Sequence, residues 1–324
     1  MSAPAASTPG RVVLGRRRIG DRICDLLLHG VTGAAALTAL VVVGLLVYEL
    51  IRQAWPAITE FGFGFVTSRA WDPVRGHFGA LDFIYGTAFT SFIAVLIAAP
   101  LAIAIALFLS ELAPPGVRGV VGALVEMLAA VPSVVIGLWG IFVLGPFVQT
   151  HLGPFLGRSL GFLPFFKGTP QLTGYLPAVI VLTIMIIPIT ASIARELFLG
   201  VPRDLEEAAL ALGATRWEMI RGVVLPHTRG GLVAAVMLGL GRAVGEAIAV
   251  TQVIGDTLGI HLSLFRNGDT LASRIAAQYQ AADTNIQIAA LVYLALVLLV
   301  FSLITNVAAQ LIVRRFELQR IGGD

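Results

Sequence analysis

What most constrains this chain is a set of long segments nearly empty of Asp, Glu, Lys and Arg: residues 30–48, 83–110, 127–166, 168–194 and 284–313. About 20 apolar residues in a helix cross the hydrocarbon of a bilayer, where every backbone N–H and C=O must be paired within the segment itself. Residues 127–166 are too many for one crossing, and their second half holds Pro146, Gly153, Pro154, Gly157, Gly161 and Pro164, which reads as an external loop. Between Arg229 and Asp256 only Arg242 and Glu246 interrupt a further apolar stretch. The segments predict six spans, near 29–51, 85–110, 119–145, 174–198, 229–254 and 285–312. Charged residues make up 13% of the chain, against roughly 25% in soluble domains. An all-α integral membrane protein is therefore expected: a tail over 1–28, a six-span body over 29–312 and a second tail over 313–324.

The basic residues orient the bundle. Fourteen of the 22 lie in the two tails, at Arg118, and on the five arginines from Arg195 to Arg229. The loops 52–84, 146–173 and 255–284 carry half as many. By the positive-inside bias, both termini and the 199–228 loop are expected in the cytosol. The basic pI then reflects topology rather than nucleic-acid binding. Cys24 stands alone, which excludes an intramolecular disulfide framework. The Ala/Ser/Pro-rich start is expected to be disordered, and no small-residue cleavage site follows the first span closely enough for a signal peptide.

Pro100, Pro132 and Pro188 fall inside expected spans 2, 3 and 4, where packing kinks are the expectation and neighbouring helices must satisfy the freed carbonyls. Gly241 and Gly245 form a GxxxG pair that would let another helix approach. Trp55, Phe61, Phe63, Phe65, Trp71, Phe78 and Phe83 crowd one external loop. They predict an interfacial aromatic belt, or else a docking surface for an external partner.

The polar island between spans 4 and 5 has an ordered pattern. Pro202 suits a first helical turn, followed by Asp204, Glu206 and Glu207 at the positive helix end. Gly213 can stop that helix with a left-handed residue. Thr215 and Glu218 form a capping box for a second helix, expected to run to Pro226. A surface linker would not need this spacing. Glu207-Ala208-Ala209, Gly213 and Val223-Val224-Leu225-Pro226 resemble the signature of permease subunits of ABC importers. Trp71-Asp72-Pro73, Phe78-Gly79-Ala80-Leu81, Tyr85-Gly86-Thr87, the segment Ala130 to Gly140 and the segment Gly241 to Glu246 narrow it. They look like the C-type permease of phosphate-specific importers, over roughly residues 55–316. The resemblance implies a type I six-helix permease of a bacterial inner membrane. Glu207, Ala208, Ala209, Gly213, Leu225 and Pro226 would then belong to the coupling segment. The implied partners are a sister A-type permease, a cytosolic ATPase dimer and an extracytoplasmic phosphate-binding protein. No cofactor and no enzymatic activity of its own are implied.

Arg242 lies 13 residues after Arg229 and 14 before Asp256, near the middle of its span. A separation of four places Arg242 and Glu246 on one helix face. A charge at the bilayer centre costs about 2.5–3.5 kcal/mol on insertion scales, so the pair should face the interior. Its bland role is an ion pair joining helices. Its functional role is a guanidinium on an oxyanion's path, with Glu246 preventing too tight a hold. Glu126 is expected to act only as a local hydrogen-bonding residue. Gly157-Arg158-Ser159-Leu160-Gly161 matches a nucleophile-elbow pattern but follows no strand. The five histidines lack metal-ligand spacing, and the single lysine, Lys167, sits in no P-loop. The expected function is transport of inorganic phosphate. Alternatives are another oxyanion (sulfate, molybdate, phosphonate) or an ion-coupled secondary transporter using Arg242 and Glu246.

Overall fold

The computed structural model describes the backbone of residues 19–321 and side chains from 26 to 311. Residues 1–18 of the tail expected to be disordered lie outside the described residues, while helix α1 (Ile19–Phe61) already covers the rest of that tail. After it come α2 (Gly64–Thr67) and a minimal antiparallel hairpin of β1 (Trp71–Asp72) and β2 (His77–Phe78), with Trp71 opposite Phe78. The main elements that follow are α3 (Leu81–Leu112), α4 (Pro115–Ala130), α5 (Ser133–Leu160), α6 (Tyr175–Leu199), α7 (Arg203–Ala211), α8 (Arg216–Gly245), α9 (Ile248–Val253), α10 (Leu271–Gln278) and α11 (Asn285–Ile321). The expected C-terminal tail is therefore helical as far as Ile321.

Among the described residues six helical segments are long and apolar enough to cross a membrane. Their limits differ from expectation in two places. Pro132 does not kink a span; it separates α4 from α5, which stays helical to Leu160 where an external loop was expected. Glycines and prolines do not end α5 because two π-helical turns, at Gly140–Leu144 and Val148–Leu152, shift the hydrogen-bond register around them. Pro226 likewise fails to end its helix. It follows a π turn at Ile220–Val224 and sits in the first turn of the next α segment, where a missing N–H costs little.

The chain divides at Glu49 into two units. The first is the leading part of α1, whose Leu26, Leu28, Leu40 and Leu46 are exposed apolar side chains. The second holds the remaining elements around α3, α6 and α8. On α3, Gly86, Thr90, Ala94, Ala98, Ala102 and Ala106 recur every fourth residue and are buried. Such a stripe of small side chains lets helix backbones approach closely in lipid. Thr183 of α6 donates to the Ala94 carbonyl at 3.4 Å across this contact. The expected GxxxG pair does not seat α8. A side chain at Gly245 would meet nothing, whereas one at Gly239 would lie 2.7 Å from Ile186 and one at Gly231 2.6 Å from Leu197. α8 therefore packs on α6 through those two glycines.

The crowded aromatics form neither a belt nor an exposed docking face. Phe65, Trp71, Phe78 and Phe83 are buried together with Leu271, Leu291 and Tyr293. Phe65 stacks on Tyr293 at 4.3 Å, and Trp71 meets Phe83 edge-on at 5.1 Å. Burial in a protein core wins because α10 and α11 fold back over them. Trp55 and Phe63 alone of the seven remain exposed.

Candidate functional site: a charged helix break and an exposed helical loop

Packing against α6 sets the height of Arg242. Gly239 meets Ile186 and Thr190, so Arg242, one turn further on, comes level with the middle of that helix. α8 ends at Gly245, and Glu246 leaves the helix with φ −73° and ψ 114°. The pair is thus not two positions on one continuous helix, as the spacing suggested. It still closes: Arg242 Nη2 lies 4.0 Å from a Glu246 carboxylate oxygen, with side chains 42% and 9% exposed. The other carboxylate oxygen accepts from the Ala249 backbone N–H at 3.2 Å. Glu246 therefore caps the start of α9 while facing the cation. The long contact and the half-open guanidinium leave donors of Arg242 available to an anion.

The break is braced from α5. The backbone of α5 comes so near α9 that a Cβ on Gly137 would lie 2.9 Å from the Ala249 Cα and from the Gln252 amide. The Gln252 amide oxygen is buried there without a hydrogen-bond partner. The proline break at Pro132 and the bare Gly137 thus aim one motif of the sequence at the other.

Beyond α9 the expected external loop is largely folded inward. Its Arg266 and Leu264 carbonyls accept from the first backbone N–H groups of α6, Tyr175 at 3.0 Å and Leu176 at 2.9 Å, which satisfies donors a helix start cannot pair internally. Arg274, only 5% exposed, lies 2.7 Å from both Asp269 and Asp256 and 4.9 Å over the Phe83 ring. Burial pushes the Asp269 carboxyl up to about 7, although Arg274 pulls it the other way. Sequence reasoning missed this cluster because the three charges are spread over 19 residues of apparent loop.

At the other end of α6 lies the polar island. α7 spans Arg203–Ala211, with Asp204 and Glu206 in its first turn. Burial, then the neighbouring negative charge of Glu111, raises the Glu206 carboxyl above its ordinary value. Gly213 takes φ +87°, a conformation L side chains rarely adopt. Both halves of the capping box form: Thr215 Oγ1 accepts from the Glu218 N–H at 3.3 Å, and Glu218 accepts from the Thr215 N–H at 2.8 Å. Val201, Met219, Ile220 and Val224 anchor the segment against Phe198. Glu207, Ala208, Gly213 and Pro226 are exposed, while Ala209 and Leu225 are half-buried. Leu205, Leu210, Leu212 (90% exposed) and Trp217 stand out beside them. Among the described residues no group of His, Cys, Asp and Glu is arranged to hold a metal ion.

The family model of the binding-protein-dependent transport system inner membrane component matches residues 100–318. The phosphate transport system permease protein PstC of Mesorhizobium japonicum is 43% identical over 299 residues, covering 91% of each chain. That of Haemophilus influenzae is 41% identical over 306 residues, 93% of this chain and 97% of its own. Among solved structures, a bacterial alginate ABC transporter, crystallised with an alginate pentasaccharide-bound periplasmic protein, contains a chain with TM-score 0.59 at 18% identity. That match covers 89% of this chain and 97% of that one. The inward-facing MetNI methionine ABC transporter gives 0.54 at 21%, covering 72% and 94%. These two likenesses bear on the fold alone, which is that of ABC importer permeases. With six membrane-length helices among its described residues, this chain belongs to the family of binding-protein-dependent transport system inner membrane components.

Proposed function

We propose that this chain is the transmembrane permease subunit of an ATP-driven importer that carries inorganic phosphate across the inner membrane. The observation that carries this is identity of about two residues in five, over more than nine-tenths of the chain, to permeases named for phosphate transport. The subunit is a permease and not an enzyme; ATP is hydrolysed by a separate subunit. Its partners are an ATPase dimer, an extracytoplasmic phosphate-binding protein and a sister A-type permease that completes the channel. Both termini and the 199–228 loop face the cytosol, in keeping with the basic bias of that side.

Arg242 and Glu246 form a station on the anion path. Guanidinium matches the oxygens of phosphate with paired donors, and the carboxylate 4.0 Å away competes for it, so that binding stays weak enough for release. Glu207, Ala208, Ala209 and Gly213, with Leu225 and Pro226 behind them, form the ATPase-coupling surface. Movement of that surface on ATP binding is carried into the membrane by α8, which runs unbroken from Arg216 to Gly245.

The test is reconstitution in proteoliposomes. Purified alone, the chain should hydrolyse no ATP. Joined by the ATPase and the sister permease, it should give hydrolysis stimulated by phosphate-loaded binding protein and not by sulfate or molybdate. Stimulation by another oxyanion alone would reassign the cargo. Transport driven by an ion gradient without ATPase would overturn the reading.

A further inference from the structure

A second arginine–glutamate pair lies at the α7 end of the bundle, away from Arg242. Arg195, near the end of α6, faces Glu126 of α4 at 3.8 Å between Nη1 and the carboxylate. Arg118, one turn into α4, donates from Nη2 to the Ser110 carbonyl at 2.6 Å. The two arginines and Glu126 line a cavity of about 450 Å³, whose remaining wall includes Gly119, Gly122 and Ala123. The small residues make the space. A Cβ on Gly122 would lie in contact with Arg195 Nη1, at 3.8 Å.

The charges there are not used up. The Nε atoms of both Arg118 and Arg195 are buried without a hydrogen-bond partner, although a buried unmatched donor costs about 1–3 kcal/mol. The Glu126 carboxylate, itself 68% exposed, faces Arg195 at 3.8 Å, while Arg118 meets the Ser110 carbonyl. Two forked cations, unmatched donors and a roomy small-residue wall suit a tetrahedral oxyanion with several acceptor oxygens. One backbone segment links the cavity to the start of α8. Arg118 holds the Ser110 carbonyl, and Arg216, the first residue of α8, donates to the adjacent Glu111 carbonyl at 3.4 Å.

We propose that this cavity is a phosphate-group site on the cytosolic side of the permease, held by Arg118 and Arg195 and moderated by Glu126. The assignment of the cytosolic side rests on the proposed function. Two sources carry the same chemistry: the phosphate ion leaving the channel, and the headgroup of an anionic phospholipid drawn into a basic pocket between helices.

The experiment uses the assembled permease–ATPase complex with Cys24→Ser and Ala123→Cys, without nucleotide, in nanodiscs. The rate at which a small neutral alkylating reagent modifies position 123 is read. Gly119→Cys replaces it if Ala123→Cys fails to assemble. In phosphatidylcholine, inorganic phosphate should slow modification at least threefold, and Arg195→Gln with Arg118→Gln should remove that protection. In the second arm phosphate is omitted and phosphatidylglycerol added. Protection there instead would identify the lipid headgroup as the occupant. Equal modification rates in every arm, in a complex that retains binding-protein-stimulated ATPase activity, would overturn the proposal. If that stimulation by phosphate is itself absent in the unmodified complex, the proposed function has failed rather than this site.

Discussion

Replacing Arg242 by Leu tests the ion pair at the end of α8 both as structure and as path. At 4.0 Å the pair is worth at most about 4 kcal/mol at an effective dielectric of 20. Arg242 is more than a third exposed, so solvent screening removes much of that. Glu246 is 9% exposed, and a buried charge losing its partner typically costs about 3–5 kcal/mol. The Ala249 N–H remains on its carboxylate and offsets part of the loss. A net destabilisation of about 1–3 kcal/mol follows for the single variant. It should be read as a lower thermal midpoint of the complex in nanodiscs, together with loss of phosphate uptake into proteoliposomes. Arg242→Leu combined with Glu246→Leu removes both charges and should recover most of the midpoint, leaving only the lost cap on α9. Uptake in the double variant should stay at background if Arg242 handles the anion. Wild-type uptake by the double variant would refute the path assignment and leave a structural pair.

Gly213→Ala should cost about 1–2 kcal/mol in the coupling segment, from the left-handed backbone alone, because a Cβ there would touch nothing; ATPase co-purification should weaken while membrane insertion is unchanged, and wild-type coupling in Gly213→Val would contradict the role of this turn. Arg274→Met should destabilise by less than the about 3–5 kcal/mol of a stranded charge, because Asp269, already pushed up to about 7 by burial, takes a proton once the guanidinium is gone; the measurement is a lower thermal midpoint. Adding Asp269→Asn should recover part of it, and an unchanged midpoint in the single variant would show that the cluster carries no stability.

The segment between α6 and α8 was legible almost residue by residue. A helix start, a left-handed glycine and a capping box are local devices, each set by neighbours within four positions, so Gly213 and the Thr215–Glu218 reciprocity follow from spacing alone. Apolar length marked where the chain crosses for a similar reason, since the bilayer imposes one thickness on every helix. Arg242 and Glu246 were singled out by being the interruptions in an apolar run, and the structure brings them within 4.0 Å.

What failed were inferences from single residues whose effect depends on their surroundings. Pro226 reads as a stop, yet a π turn before it absorbs the missing donor and α8 runs on. Seven aromatics read as a belt because sequence gives no sign that α10 and α11 return to cover four of them. The triad of Asp256, Asp269 and Arg274, and the cavity between Arg118 and Arg195, join residues from separate elements whose pairing has no local pattern. Sequence by itself determined the membrane, the number of apolar helices and the turn between α7 and α8, because length, hydropathy and capping act within a few turns. Tertiary packing decided which glycines seat α8, which loop is buried and which arginines share a cavity, because those depend on close approach between helices far apart in the chain.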